Sequence, residues 1–132
     1  MSQENVETLH RLYERWARGD FSTDGFDPDV EYSRIGAHTP LEGRWRGLDE
    51  MRVAMRDYLA PMSDLRIEAE RFIDLGGDRV LVLSRQTARG KQSGVPIEHE
   101  LADIFTLREG RIVGIASYWN PAAAFEAAGL RE

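Results

Sequence analysis

The sequence predicts an α+β fold, in which a cone-shaped, curved antiparallel β-sheet packs on long N-terminal helices and leaves an open pocket at one end. Three observations support this prediction. Two amphipathic helical patterns lie in the first half of the chain. Long segments of alternating or apolar residues follow, and short glycine-containing turns join them, as in antiparallel hairpins. Strands longer than about five or six residues bend strongly, so a sheet curled over a helix forms a cone with one open end.

The helices come first along the chain. A helix is predicted from Gln3 to Arg18, because apolar residues recur there at helical spacing and Gly19-Asp20 then stops it. A short strand is predicted from Val30 to Arg34, followed by a polar loop. A second helix is predicted from Leu48 to Leu59, with Pro61 as its end. Helices followed by strands are typical of an α+β fold with the helices on one face of the sheet.

The second half of the chain is predicted to form four strands and a closing helix. The first strand is indicated by the alternating pattern of Leu65–Ala69. The other three are predicted at Arg79–Arg89, Pro96–Arg108 and Arg111–Trp119. Asn120 is a favourable N-cap, Pro121 suits the first helical position, and Gly129 suits the C-terminal cap. A short helix is therefore predicted from Ala122 to Ala128.

Composition excludes several function classes. The chain has 132 residues, 17 of them basic and 23 acidic, for a formal charge of −6, and this length predicts a single domain over residues 1–132. The absence of cysteine excludes disulfides and thiolate catalysis, and three scattered histidines predict no metal site. No cofactor is expected, because proton-transfer chemistry needs none. The acidic balance argues against a nucleic-acid partner. Without a signal peptide or an apolar run of about 20 residues, we expect a soluble, cytoplasmic protein that does not bind membranes.

Seven short motifs are spread over nearly the whole chain. They are residues 13–20 (YERWARGD), 26–32 (FDPDVEY), 44–47 (RWRG), 90–96 (GKQSGVP), 105–113 (FTLREGRIV), 118–121 (YWNP) and 127–130 (AAGL). In this order they resemble the ketosteroid-isomerase-like, nuclear-transport-factor-like superfamily, particularly its SnoaL-like polyketide cyclase branch. The resemblance implies the cone fold but no single reaction, because the superfamily includes isomerases, cyclases, epoxide hydrolases, dehydratases and non-catalytic binders.

Asp103 is the leading catalytic candidate. Its neighbours on both faces of the predicted strand are apolar, so the carboxyl is expected to be buried. Burial without a cation raises a carboxyl pKa, which lets the acid stay protonated near neutral pH and donate to an oxyanion. By resemblance, Asp103 falls where ketosteroid isomerases hold a protonated aspartate, and polyketide cyclases of the superfamily rely on a single carboxylate. The alternative is a structural role, either in an ion pair with Arg85 or Arg111 or in hydrogen bonds to a loop.

Other parts of the isomerase pattern are missing. By resemblance, the position of the oxyanion-donating tyrosine falls on Leu12, beside Tyr13, and that of the general base falls on Ser33 or Arg34. Without a base, the isomerase route cannot move a proton between carbons, so steroid isomerase activity is not expected. Epoxide hydrolases of the superfamily need a carboxylate on the last strand, where this chain has Ser117.

The other candidate pocket residues are aromatic, histidine and hydroxyl side chains. Core packing explains each ring taken alone, whereas several rings around one carboxylate would form a flat, apolar cavity. His38 lies in a loop, where a histidine is usually solvated, and His99 either lines the pocket mouth or simply lies at a strand end. The predicted substrate-binding residues are Tyr13, Trp16, Tyr32, His38, His99, Phe105, Ser117 and Trp119.

These observations predict a cofactor-independent, isomerase-like or cyclase-like enzyme that acts on an apolar carbonyl compound through Asp103, as acid/base or oxyanion donor. The alternative is a non-catalytic ligand-binding or dimeric interaction module. Residues 80–83 (VLVL) are apolar on both faces of their strand, so the outer face of the sheet should be covered. By resemblance the cover is a second copy, which predicts a two-fold homodimer. The other candidate cover is the C-terminal helix.

Overall fold

In the computed structural model, the described residues are 2–36 and 42–130, so the prediction for His38 lies outside them. Their elements, in chain order, are α1 (Ser2–Ala17), β1 (Phe26–Ile35), β2 (Gly43–Arg46), α2 (Leu48–Leu59), β3 (Met62–Gly76), β4 (Arg79–Gly90), β5 (Pro96–Arg108), β6 (Arg111–Tyr118) and α3 (Pro121–Ala127). None of the helices in these two ranges is long and apolar enough to cross a membrane.

The strands form one open, curved sheet in the order β2-β1-β6-β5-β4-β3. The predicted α+β class is confirmed. Neighbouring strands are antiparallel except β1 and β6, which run parallel, so the sheet is mixed and not wholly antiparallel as predicted. Register shifts interrupt the pairing of β3 with β4, and such bulges bend a strand and increase its twist. The sheet therefore has a concave face on the side of α1 and α2 and a convex face on the other side.

The core has one part on each face of the sheet. On the concave face, fully buried Leu9 and Leu12 of α1 pack with Phe105 of β5. Buried positions in α1 recur three and four residues apart, which is the amphipathic stripe that made this helix predictable. The second part lies on the convex face, where Ala124 and Phe125 of α3 pack on β4 and β5.

The position of α3 corrects the expectation that all helices lie on one face. Leu81 and Ile104, which point to the convex face, are 0% and 7% exposed because α3 covers them. Of the two predicted covers for the apolar outer face, the C-terminal helix is the one seen in this chain. As predicted, Asn120 caps this helix, accepting a hydrogen bond from the Ala122 amide at 3.0 Å, and Gly129 follows it with a φ of 76°.

Most element bounds agree with the prediction to within one residue, and those of β1, β2 and β3 do not. The strand β3 runs from Met62 to Gly76, well beyond the predicted Leu65–Ala69. The helix α2 and the strand β5 have the predicted bounds, and α1 and α3 each begin and end one residue earlier. The strand β1 begins at Phe26 rather than Val30, because Phe26 pairs with Ile112 of β6 and is buried. The strand β2 was not predicted: Tyr32 pairs with Trp45 where a loop and a helix start were expected.

Candidate functional site

A partly enclosed cavity lies between the concave face of the sheet and the helices α1 and α2. The centres of water-sized spheres can occupy about 60 Å³ of this cavity, so it has room for a few water molecules. Most of its wall is aromatic or aliphatic, with a small number of polar groups. The lining residues are Trp16, Phe21, Ser22, Phe26, Tyr32, Arg34, Met51, Met55, Tyr58, Leu59, Ile67, Gln86, Leu101, Asp103, Ile115, Ser117 and Trp119. An apolar cavity with a few converging polar groups is the usual form of a small-molecule site.

Three neighbouring strands bring polar side chains into one row on the cavity wall. Asp103 of β5 is paired with Ser117 of β6, and Ser117 is paired with Arg34 of β1. All three residues are buried. Neighbouring strands lie about 4.8 Å apart, so the backbones of Asp103 and Arg34 are separated by about 10 Å. The row therefore places a carboxyl and a guanidinium on one wall, with a hydroxyl between them.

The Asp103 carboxyl is 5% exposed and has one close donor. The Tyr13 hydroxyl donates a hydrogen bond to Oδ2 at 2.7 Å. No described group donates to Oδ1 within hydrogen-bond distance, although the Ser117 hydroxyl is near enough to stabilise the ionised carboxyl in part. Burial raises the pKa of Asp103 above its ordinary value, and the hydroxyls of Ser117 and Tyr13 oppose this rise. Asp103 is thus a carboxyl that holds its proton more tightly than a solvated one does.

The alternative role for Asp103, an ion pair with Arg85 or Arg111, is absent from the described part of the chain. Arg85 instead forms ion pairs with Glu70 at 3.5 Å and Glu98 at 2.9 Å, outside the cavity. Because an adjacent cation would lower a carboxyl pKa, this absence accounts for the direction of the shift at Asp103.

Tyr13 supports Asp103 from behind the cavity wall. It is buried, and its ring packs on Trp16 at 4.9 Å and on Phe105 at 6.0 Å between centroids. Burial raises the pKa of the Tyr13 hydroxyl well above its usual range, and the nearby Asp103 charge raises it further. The hydroxyl therefore keeps its proton and remains a donor to Oδ2.

Arg34 is a site residue whose role the sequence analysis did not foresee. Its guanidinium is held by donation from Nε to the Tyr32 hydroxyl at 2.9 Å and from Nη2 to the Ala54 carbonyl at 2.8 Å. The rings of Tyr32, Trp45 and Tyr58 surround it, with centroids 4.7–5.2 Å from Cζ. Arg34 has the same strand parity as Tyr32, and this alternation is the signal that would have placed it on the cavity side.

A second buried hydrogen bond joins the helix α2 to the sheet. The Tyr58 hydroxyl donates to Gln86 Oε1 at 2.6 Å, and both residues line the cavity. Burial raises the pKa of Tyr58, so this hydroxyl also stays protonated. Tyr58 shares its helix stripe with Met51 and Met55, which is the pattern that could have identified it.

The predicted pocket residues fall into groups in the structure. Five line the cavity: Trp16, Tyr32, Asp103, Ser117 and Trp119. Tyr13 and Phe105 lie beneath its wall, because their side chains fill the space between α1 and the sheet. His99 packs its ring on Trp119, with centroids 4.7 Å apart, and does not line the cavity.

No group of three or more histidine, aspartate or glutamate side chains that could hold a metal ion occurs in residues 2–36 and 42–130. The polar groups of the cavity are one carboxyl, one guanidinium, one amide and several hydroxyls. This set can bind, hold or move protons on an organic ligand.

The open sheet, the helices on its concave face and the cavity between them define an α+β protein with the nuclear-transport-factor-like (NTF2-like) fold. The model of the SnoaL-like domain matches residues 9–115. The chain belongs to this SnoaL-like family, as the sequence motifs predicted.

Solved structures support the same fold. An NTF2-like protein of unknown function from Burkholderia pseudomallei is 22% identical, covers 93% of this chain and 95% of its own, and has a TM-score of 0.78. A candidate SnoaL-like polyketide cyclase from Jannaschia sp. is 19% identical, with 99% and 95% coverage and a TM-score of 0.77. TerC, crystallised with polyporic acid, is 20% identical, with 96% and 98% coverage and a TM-score of 0.76. No curated protein matches the sequence.

Proposed function

We propose that this protein binds an apolar carbonyl compound in its cavity and moves a proton on it through Asp103, as a cofactor-independent isomerase-like or cyclase-like enzyme. The single observation that carries the proposal is a buried carboxyl with raised pKa on the wall of an aromatic cavity. Strongly shifted carboxyls in pockets are enriched among acid–base catalysts. Neighbours of similar fold include a candidate polyketide cyclase and a protein crystallised with polyporic acid, which is consistent with this chemistry.

The two oxygens of Asp103 suggest different roles. Oδ2 accepts from Tyr13, whereas Oδ1 has no donor among the described residues, so we assign the proton transfer to Oδ1. In the ionised state, Oδ1 takes a proton from the carbon next to the ligand carbonyl, and the C–H electron pair moves into the carbonyl to give an enolate. The carboxyl then returns the proton to another atom of the ligand. Because Oδ1 is fully buried, this step requires side chains over it to change rotamer when the ligand enters.

Tyr13 is a positioning residue in this proposal. Its hydroxyl holds Oδ2 at 2.7 Å, and its packed ring fixes the carboxyl orientation. The hydrogen bond also stabilises the ionised carboxyl and so opposes the rise in the pKa of Asp103 that burial causes.

The test is exchange of the acidic α-protons of 2-tetralone, a bicyclic apolar ketone, followed by NMR in D₂O. We expect the protein to accelerate exchange above the buffer rate. Asp103→Asn, which keeps the shape of the side chain, and Asp103→Ala should both reduce exchange to the buffer rate. Asp24→Asn, an exposed aspartate outside the cavity, is the matched control and should leave exchange unchanged.

Three outcomes contradict the proposal in different ways. Equal exchange in the wild type and both Asp103 variants would remove Asp103 from the mechanism. Binding of 2-tetralone without exchange would favour the alternative, a non-catalytic ligand-binding module. Neither binding nor exchange would show that the cavity does not take apolar ketones.

A homodimer through the outer sheet face is a further part of the proposal. The helix α3 covers Leu81 and Ile104, but Leu83 on the same face is only half-buried in the single chain. Sedimentation equilibrium should therefore give twice the monomer mass of 15.0 kDa. A monomer at micromolar concentration would contradict the dimer, leaving the cavity proposal intact. A cytoplasmic location stays a prediction from composition.

A further inference from the structure

The hydroxyl of Tyr32 is held in the cavity wall by a charged donor. It accepts a hydrogen bond from Arg34 Nε at 2.9 Å, and Tyr32 is only 6% exposed. A tyrosine hydroxyl has one proton to donate, besides the lone pairs with which it accepts. No residue in the ranges 2–36 and 42–130 accepts that proton in a hydrogen bond. Tyr32 therefore keeps an uncommitted donor on the wall of the cavity.

Tyr32 differs in this respect from the other hydroxyls near the cavity. The Tyr58 and Tyr13 hydroxyls already donate, at 2.6 and 2.7 Å, to side chains of the sheet. Ser22 and Ser117 also line the cavity, but neither hydroxyl accepts from a guanidinium in the described part of the chain. A hydroxyl whose oxygen accepts from a cation is the stronger donor, because hydrogen-bonded groups polarise one another. Tyr32 is therefore the cavity hydroxyl best suited to an oxygen on which negative charge develops.

The surroundings of Tyr32 keep its hydroxyl protonated. Burial raises the pKa of this tyrosine, and the Arg34 charge and hydrogen bond oppose that rise without cancelling it. The charge of Asp103 raises the pKa of Tyr32 further, whereas the Ser117 hydroxyl lowers it. The Tyr32 hydroxyl is thus a donor within electrostatic reach of the carboxyl to which we assign the proton transfer.

We infer that Tyr32 is a second catalytic residue, whose hydroxyl donates a hydrogen bond to the ligand carbonyl oxygen and stabilises the enolate that forms there. This inference rests on the proposed function and adds the electrophilic group that proton abstraction beside a carbonyl requires. Arg34 is a positioning residue in it, because its Nε holds and polarises the hydroxyl without needing to contact the ligand. Tyr32 itself keeps its proton throughout the step.

Proton transfer moves negative charge across the cavity wall. Before the step the charge lies on Asp103 of β5. When Oδ1 takes the C–H proton, the electron pair of that bond moves to the carbonyl oxygen and Asp103 becomes neutral. Tyr32 lies on β1, on the other side of β6, so a carbonyl directed towards β1 develops its charge at this hydroxyl. The hydrogen bond is then stronger in the transition state than in the bound ketone, which is the condition for accelerating the step.

The test combines the exchange of the α-protons of 2-tetralone with the infrared spectrum of the bound ketone. Tyr32→Phe removes the hydroxyl and keeps the ring, so kcat for exchange should fall about 100-fold with little change in KM. Tyr118→Phe is the matched control, because this side chain packs on the convex face, and it should leave exchange unchanged. In the wild-type complex, the C=O stretch of 2-tetralone should lie at lower wavenumber than in cyclohexane. Tyr32→Phe should reverse most of that shift, which a merely structural role would not do.

An unchanged exchange rate in Tyr32→Phe, or a C=O band of the wild-type complex at its cyclohexane position, would overturn the inference and leave the proposed function standing. If the wild type catalyses no exchange, the proposed function fails and the inference fails with it. A band that stays shifted in Tyr32→Phe would assign the hydrogen bond to another donor and would also overturn the inference.

A second substitution decides the question if Tyr32→Phe does not fold. Tyr32→3-fluorotyrosine keeps the hydroxyl and makes it more acidic, and so a stronger donor. The C=O band of bound 2-tetralone should move to still lower wavenumber in this variant. A band at the wild-type position would contradict the inference.

Discussion

The Tyr13–Asp103 hydrogen bond provides the sharpest test of the buried carboxyl. Tyr13→Phe removes only the hydroxyl that donates to Oδ2 at 2.7 Å and keeps the ring contacts with Trp16 and Phe105. A hydrogen bond to a charged group contributes about 1.5–3 kcal/mol and one between neutral groups about 0.5–1.5 kcal/mol. Tyr13→Phe should therefore lower the free energy of unfolding by about 2 kcal/mol where Asp103 is ionised, and by about 1 kcal/mol where it is protonated.

The loss of unfolding free energy caused by Tyr13→Phe should grow with pH. The Tyr13 bond lowers the pKa of Asp103, so the folded variant binds more protons than the folded wild type as the pH rises through the native pKa. The difference in stability between the two proteins then increases with pH. In the wild type itself, the raised pKa of Asp103 means that stability falls from about pH 4, the unfolded value, up through the native pKa. Asp103→Asn should remove this fall.

The assay is urea unfolding of the wild type, the two single variants and the double variant between pH 4 and pH 8. In the Asp103→Asn background, the amide oxygen still accepts from Tyr13, so Tyr13→Phe should cost about 1 kcal/mol at every pH. Tyr118→Phe is the control, because no hydrogen bond of this hydroxyl is found among the described residues. A cost of Tyr13→Phe that is zero, or that shrinks as the pH rises, would refute the reasoning.

Three further substitutions test the packing. Leu81→Ala should lower the free energy of unfolding by about 3 kcal/mol, because α3 covers Leu81. The control is Ile35→Ala, at a residue 37% exposed, which should lower it clearly less in the same denaturant titration. Asn120→Ala should cost about 1 kcal/mol through the lost cap of α3, and an unchanged unfolding midpoint would contradict the capping role. Gln86→Leu should cost about 1–3 kcal/mol because it leaves the buried Tyr58 hydroxyl without its acceptor; adding Tyr58→Phe should recover part of that loss.

Local signals explain which parts of the fold were predictable. Pro61 follows α2 and glycine-containing turns flank β5, so local sequence alone places the ends of these two elements. The strand β2 was not predicted because it has only four residues, two of them arginine, which do not form a strand-like apolar pattern. It is held by its pairing with β1. The parallel pairing of β1 with β6 joins residues far apart in the chain, and no local pattern reports such a pairing.

The residues of the candidate site also differ in how well local sequence predicted their positions. The burial of Asp103 was predictable from its own strand, because its neighbours on both faces of that strand are apolar. Its partner Tyr13, 90 positions away, was predicted as a wall of the pocket and instead supports the carboxyl from behind. Arg34 was considered only as the place of a missing base, because its environment depends on α2 and β2, which the chain brings together only when folded.

The strand order explains how Asp103 and Arg34 share one cavity and keep different properties. If Asp103 and Arg34 were on adjacent strands, they would form an ion pair, and the cation would lower the pKa of the carboxyl. Because β6 lies between their strands, Ser117 separates them and burial alone dominates at Asp103. A slip of β1 by one residue against β6 would turn Arg34 to the convex face and bring Ser33 or Ile35 inward. The parallel β1–β6 pairing is therefore what gives the cavity both an acid and a cation.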